Sequence, residues 1–134
     1  MFITLGISHD LHYICPCGLT LREQIDKINI KNWTCRTCQK PVTVFMGAPG
    51  GNTYKVERRF AKDVLVNDHV VFRCGVGLSS GDVSRSHQYG AKAINWYLYI
   101  LGHNGGVIGA RDYVNVEVNT FVQVVTPGAG QPQP

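Results

Sequence analysis

Residues 53–60 read Thr-Tyr-Lys-Val-Glu-Arg-Arg-Phe, and their alternation decides the fold class. Tyr54, Val56, Arg58 and Phe60 fall on one side of an extended chain, with Lys55, Glu57 and Arg59 on the other, the period of a half-buried strand. Working outward, Pro41 to Met46 is rich in β-branched residues and predicts a strand just before this one. After it, residues 63–74 (DVLVNDHVVFRC) predict strand, Asn67-Asp68 turn, strand. Residues 113–118 (YVNVEV) set Val114, Val116 and Val118 against Tyr113, Asn115 and Glu117, and residues 121–125 (FVQVV) add a short run. Residues 93–101 (AINWYLYIL) are apolar on both faces and predict a central strand, because GHNGG follows as a hairpin-type turn and VIGA resumes. The sum is a mainly β protein, a small barrel or sandwich, with turns at the glycine-rich stretches 75–82 and 102–106.

Upstream the character changes. Thr20 and Glu23 have the spacing of a capping box, and Leu21, Ile25 and Ile28 follow at helical spacing, so one short helix is expected over about 20–29. The alternation of Ile28 and Ile30 before Trp33 reads equally as strand. The stretch GAPGGN reads as a linker. The expected organisation is therefore an N-terminal module over 1–46 that holds four of the five cysteines, a linker at 47–52, a β-rich domain over 53–125 and a disordered tail over 126–134.

The chain of 134 residues carries 13 Lys and Arg against nine Asp and Glu, a net charge of +4. Each side of residue 44 holds +2, so the charge is not gathered on one stripe as in a dedicated nucleic-acid domain. Lys55, Arg58, Arg59 and Lys62 form the one local cluster. They are candidate binding residues together with Trp96, which with Tyr97 and Tyr99 would make a stacking surface near Arg85 and Lys92; since both faces of that strand cannot be exposed, either Trp96 with Leu98 or Tyr97 with Tyr99 is core. No run is long and apolar enough to span a bilayer, and the N-terminal MFITLGISHD has no basic leader, so a cytoplasmic protein without membrane contact is expected.

Four cysteines carry the chemistry. Cys15-Pro-Cys17-Gly and Cys35-Arg-Thr-Cys38 are two close pairs, and their spacing lets four thiolates meet at the corners of a tetrahedron around zinc. Gly18 relieves the backbone after the first pair, and Trp33 offers an apolar cover. The C-x-C of the first pair rules out a regular rubredoxin-type knuckle there, and His9 or His12 is a substitute ligand. YICPCG (13–18) with WTCRTC (33–38) resembles the zinc-ribbon or treble-clef class of four-cysteine modules. That resemblance implies a metal-stapled knuckle that binds protein or nucleic acid. AKDVLVNDHVVF (61–72) is similar to the strand-turn-strand phrase of Hint and SH3-like barrels. The block order and closing nucleophile that self-splicing needs are absent.

Cys74 is the odd cysteine. Its place at the end of an apolar strand predicts core packing, whereas a thiol enzyme would recruit His87 or His103 with Asn104. The functional expectation is a non-enzymatic accessory or regulatory factor that docks on a protein or nucleoprotein target, with weak nucleic-acid binding. The alternatives are a Cys-His enzyme using Cys74 and a self-assembling structural subunit.

Overall fold

The structure, a computed structural model, describes residues 3–48, 50–75 and 77–118. The expected run at 121–125 and the tail at 126–134 lie outside the described residues. Among the described residues eleven strands form in chain order: β1 (Asp10–Cys15), β2 (Gly18–Leu21), β3 (Ile28–Asn29), β4 (Thr34–Cys35), β5 (Thr43–Gly47), β6 (Thr53–Phe60), β7 (His69–Cys74), β8 (Gly77–Gln88), β9 (Asn95–Ile100), β10 (Gly105–Gly109) and β11 (Tyr113–Glu117). Nine of them make one antiparallel sheet in the order β10-β9-β8-β7-β11-β6-β5-β1-β2, and β3 pairs with β4 alone. The protein is mainly β. The large sheet is open, with β10 and β2 at its two edges, so the expected barrel does not close among the described residues.

Alternation places the core. Tyr54 and Val56 of β6 join Tyr13, Val44, Met46 and Val71 on one face, under a cover that includes Ile28, Trp33 and Val42. Val114 and Val116 of β11 turn to the other face, where they meet Val70, Phe72, Val83, Leu98 and Ile100. A register shift in β8 between Val83 and Arg85 allows this second core, because the extra residue bends the strand. Its first half pairs with β7 and its second half with β9.

Several expectations change. The expected linker joins two neighbouring strands, since Gly47 at its start belongs to β5 and pairs with Thr53 of β6, and the first core draws residues from both strands. The expected helix is only a 3-10 segment over Arg22–Lys27, broken at Gln24. Thr20 is taken by β2, opposite Tyr13, so it cannot cap; instead the Leu21 N–H donates to Gln24 Oε1 at 3.3 Å. Residues 63–66 form no strand, because Ala61–Asp63 is a 3-10 turn and the chain then runs extended to a turn at Asn67 with φ 79°. The barrel-type phrase is therefore not strand-turn-strand.

The stretch from 77 to 82 is strand rather than turn. Its Gly81 is required by packing: a Cβ there would lie 2.6 Å from Ile100 Cγ2, a fully buried branch that cannot swing away. Gly81→Ala is accordingly expected to cost about 1–3 kcal/mol, read as a lowered midpoint in urea with an unchanged slope. Among the described residues no helix is long and apolar enough to cross a membrane.

Candidate metal centre

Two turns bring the cysteines together. Cys15 ends β1 and faces Gly18 at the start of β2, so Pro16 and Cys17 form the tip of that hairpin. Gly18 sits at φ 135°, a conformation that side chains disfavour, and the Cys17 N–H donates to Cys15 Sγ at 3.3 Å. Cys35 ends β4 and is held by Ile28 across the β3–β4 pair. The chain then turns back, with the Gln39 N–H on the Cys35 carbonyl at 2.7 Å and Gln39 at φ 61°. The Arg36 N–H reaches the Lys27 carbonyl at 3.0 Å and anchors the turn to the 3-10 segment.

All four Sγ atoms lie within 4.8 Å of one another. Cys15 and Cys17 are 2.8 Å apart, Cys17 and Cys35 3.3 Å, and Cys15 and Cys38 3.7 Å. A tetrahedral ion with arms of about 2.3 Å would set its sulfurs about 3.8 Å apart, inside this spread. Small side-chain rotations bring the four onto such an ion. The four cysteines are thus positioned for metal binding, and they supply every ligand from two turns. Neither histidine belongs to this group: His12 stacks on Phe45 at 4.4 Å, and the His9 carbonyl takes the Gly47 N–H.

The turn that holds Cys35 also sets its charge. Backbone N–H groups, first that of Cys38, pull the Cys35 thiol down to about 6. Hydrogen bonds to Cys15 and then Cys35 push Cys17 up to about 12. At neutral pH Cys35 is therefore already a thiolate, and a metal need not displace its proton. Below about pH 6 Cys35 takes up a proton that competes with the metal, so affinity is expected to fall on acidification and most steeply there. A competition titration against a chromophoric chelator from pH 8 to pH 5 checks the direction.

Trp33, expected as a cover for the thiolates, lies in one buried cluster with Cys15 and Cys35. Its ring lies 4.1 Å from the Arg58 guanidinium carbon and near Tyr13 and Tyr113, so it ties the second knuckle to the sheet. Arg58 leaves the basic cluster altogether. It is buried, with Nη2 to Asp10 Oδ1 at 2.6 Å, Nη1 to Asp10 Oδ2 at 3.0 Å and Nε to Asn115 Oδ1 at 2.8 Å. Tyr13 donates to the same Asp10 at 2.7 Å, and burial, then that bond, push its hydroxyl well up. The rest of the cluster is divided. Arg59 pairs with Glu57 and Asp68, Lys62 with Asp63, and Lys55 sits over the Phe45 ring. Trp96 turns inward, its indole N–H on Ser86 Oγ at 2.9 Å.

Cys74 is exposed, against the expectation of core packing. It faces Gly77, whereas His87 lies ten residues along β8, roughly 30 Å away at strand rise. His103 packs edge-on against Phe72 at 4.8 Å and beside Gly81, four strand residues from Gly77. The thiol and its candidate bases are not brought together. Comparison with protein-family models, with curated proteins and with solved structures gives no match to this chain.

Proposed function

We propose that this is a non-enzymatic accessory or regulatory binding protein of the cytoplasm, stapled by zinc and docking on a protein or nucleoprotein target. The convergence of Cys15, Cys17, Cys35 and Cys38 carries the reading. An all-thiolate tetrahedral set suits zinc, and it leaves no open position for a substrate or an activated water, which is the mark of a structural site. The pairing of two cysteine turns resembles the zinc-ribbon class, with the C-x-C pair as a departure from it. In that arrangement the ion shapes a surface and takes no part in a reaction.

The test compares target capture by the full chain with that of two variants. Cys74→Ala changes an exposed side chain, so it is expected to retain the target and to shift stability by less than about 0.5 kcal/mol. Cys35→Ser is expected to lose the target together with the metal. A substrate-turnover activity that disappears in Cys74→Ala, at unchanged melting behaviour, would replace this reading with the thiol enzyme.

A further inference from the structure

We propose that the outer face of β8, β9 and β10 is a stacking platform for single-stranded nucleic acid. The proposal goes beyond the reading above and uses no residue of the metal centre, which lies at the opposite end of the sheet.

Register separates the two faces of this lobe. Leu98 and Ile100 are fully buried, and Trp96 packs with them, so β9 turns those three inward. Tyr97 and Tyr99 consequently point outward, half-buried, at a separation of about 6.6 Å along the strand. Across from them on β8 stand Arg85, opposite Tyr99, and His87, opposite Tyr97. Both are exposed. The His87 ring lies 5.3 Å from Tyr97, and Tyr89 stacks on Tyr97 from the strand end at 6.5 Å.

On β10 the residue opposite Tyr99 is Gly105. A Cβ at 105 would run into the ring and hydroxyl of Tyr97 and into Tyr99. With no side chain there, the Tyr97 ring lies over position 105 beside Tyr99, and the two half-buried rings line the outer face together with the exposed Tyr89.

Charge selects the occupant. The 28 residues from Val83 to Ala110 contain Arg85, Lys92, His87 and His103 and not one Asp or Glu. A protein partner of ordinary composition would present both signs, and a neutral sugar would have no use for the cations. Asp82 at the start of this lobe is engaged by His69 and Asp112 at its edge by the Gly109 N–H, so adjacent aromatic faces beside Arg85 and Lys92 suit a polyanion whose flat groups are free to stack. Duplex is disfavoured because its bases are already stacked, so a single strand is the ligand. Stacking accepts every base, so the binding is sequence-tolerant, and its phosphate contacts make it salt-sensitive.

Fluorescence anisotropy with labelled 15-mer oligothymidylate and a duplex of equal length, at about 50 and 200 mM salt, tests this. The single strand is expected to bind more tightly than the duplex. Tyr97→Ala and Tyr99→Ala are each expected to weaken it about fivefold to a hundredfold, while Tyr97→Phe, which keeps the ring, retains it. Arg85→Glu is expected to weaken binding and flatten the salt dependence, whereas Arg59→Glu, an equal charge change elsewhere, leaves it within about twofold. Circular dichroism shows whether each variant is folded. Duplex bound as well as single strand, equal losses for Arg59→Glu and Arg85→Glu, or folded tyrosine variants with unaltered affinity would each overturn the platform. Binding of a neutral oligosaccharide in place of the oligonucleotide would overturn it too.

Discussion

Cys35→Ser is expected to abolish metal binding and to unfold the region from Cys15 to Cys38 at physiological temperature. The strands that carry the second knuckle have two residues each, and the segment beside them is a broken 3-10 helix with no buried residue. Apart from the burial of Ile28 and Trp33, little in that geometry holds without the ion. Apparent zinc affinities in small modules amount to about 10–16 kcal/mol, comparable with or larger than the whole stability of an ordinary domain. The loss propagates, because Ile28, Trp33 and Cys35 belong to the same core as Val44, Val56 and Val71. Titrating the native protein with a strong chelator should reproduce the effect: molar ellipticity and tryptophan fluorescence change together as metal leaves. Unchanged melting of a metal-free protein would mean that the cysteines are not a staple.

Arg58→Ala is expected to cost about 3–5 kcal/mol, the penalty for leaving one charge of a buried pair uncompensated. Both side chains are almost wholly shielded from water, Arg58 at 3% and Asp10 at 0% relative exposure. The guanidinium also serves Asn115 and the face of Trp33, so its removal strips a partner from Asp10, Asn115 and Trp33 at once. Thermal unfolding should show a midpoint lower by about 10–20 °C for a chain of this size. Neutralising both partners in Asp10→Asn/Arg58→Met should recover much of the loss, because a neutral filled site avoids the stranded charge. A cost below about 1 kcal/mol for Arg58→Ala would show that the pair is hydrated in solution.

How far the sequence carries the account differs between elements for physical reasons. β6 is legible to the residue, because its period of two is uninterrupted and its apolar side chains are those that prefer strands. The same alternation already placed Arg58 on the side of Tyr54 and Val56; charge suggested a solvent-facing role, but burial follows the face. Its partner Asp10 is 48 residues away and carries no local signal, so the buried pair is visible only in three dimensions. β8 is illegible for the opposite reason. GLSSGDVSRSHQ has the composition of turns, and it is extended because β7 and β9 claim its two halves. The cysteine site is legible because each pair makes its own tight turn, and the two turns need only one meeting point. The inward side of Trp96 was open between two faces, and only burial of Leu98 and Ile100 decides it.

The most direct test of the metal centre counts metal and reactive thiols in the same native sample. The account predicts one zinc per chain by elemental analysis. It also predicts one alkylated cysteine by mass spectrometry, the exposed Cys74, rising to five once a chelator has removed the ion. Protein prepared without oxygen that holds no metal, and whose Cys15, Cys17, Cys35 and Cys38 are alkylated as readily as Cys74, would contradict it.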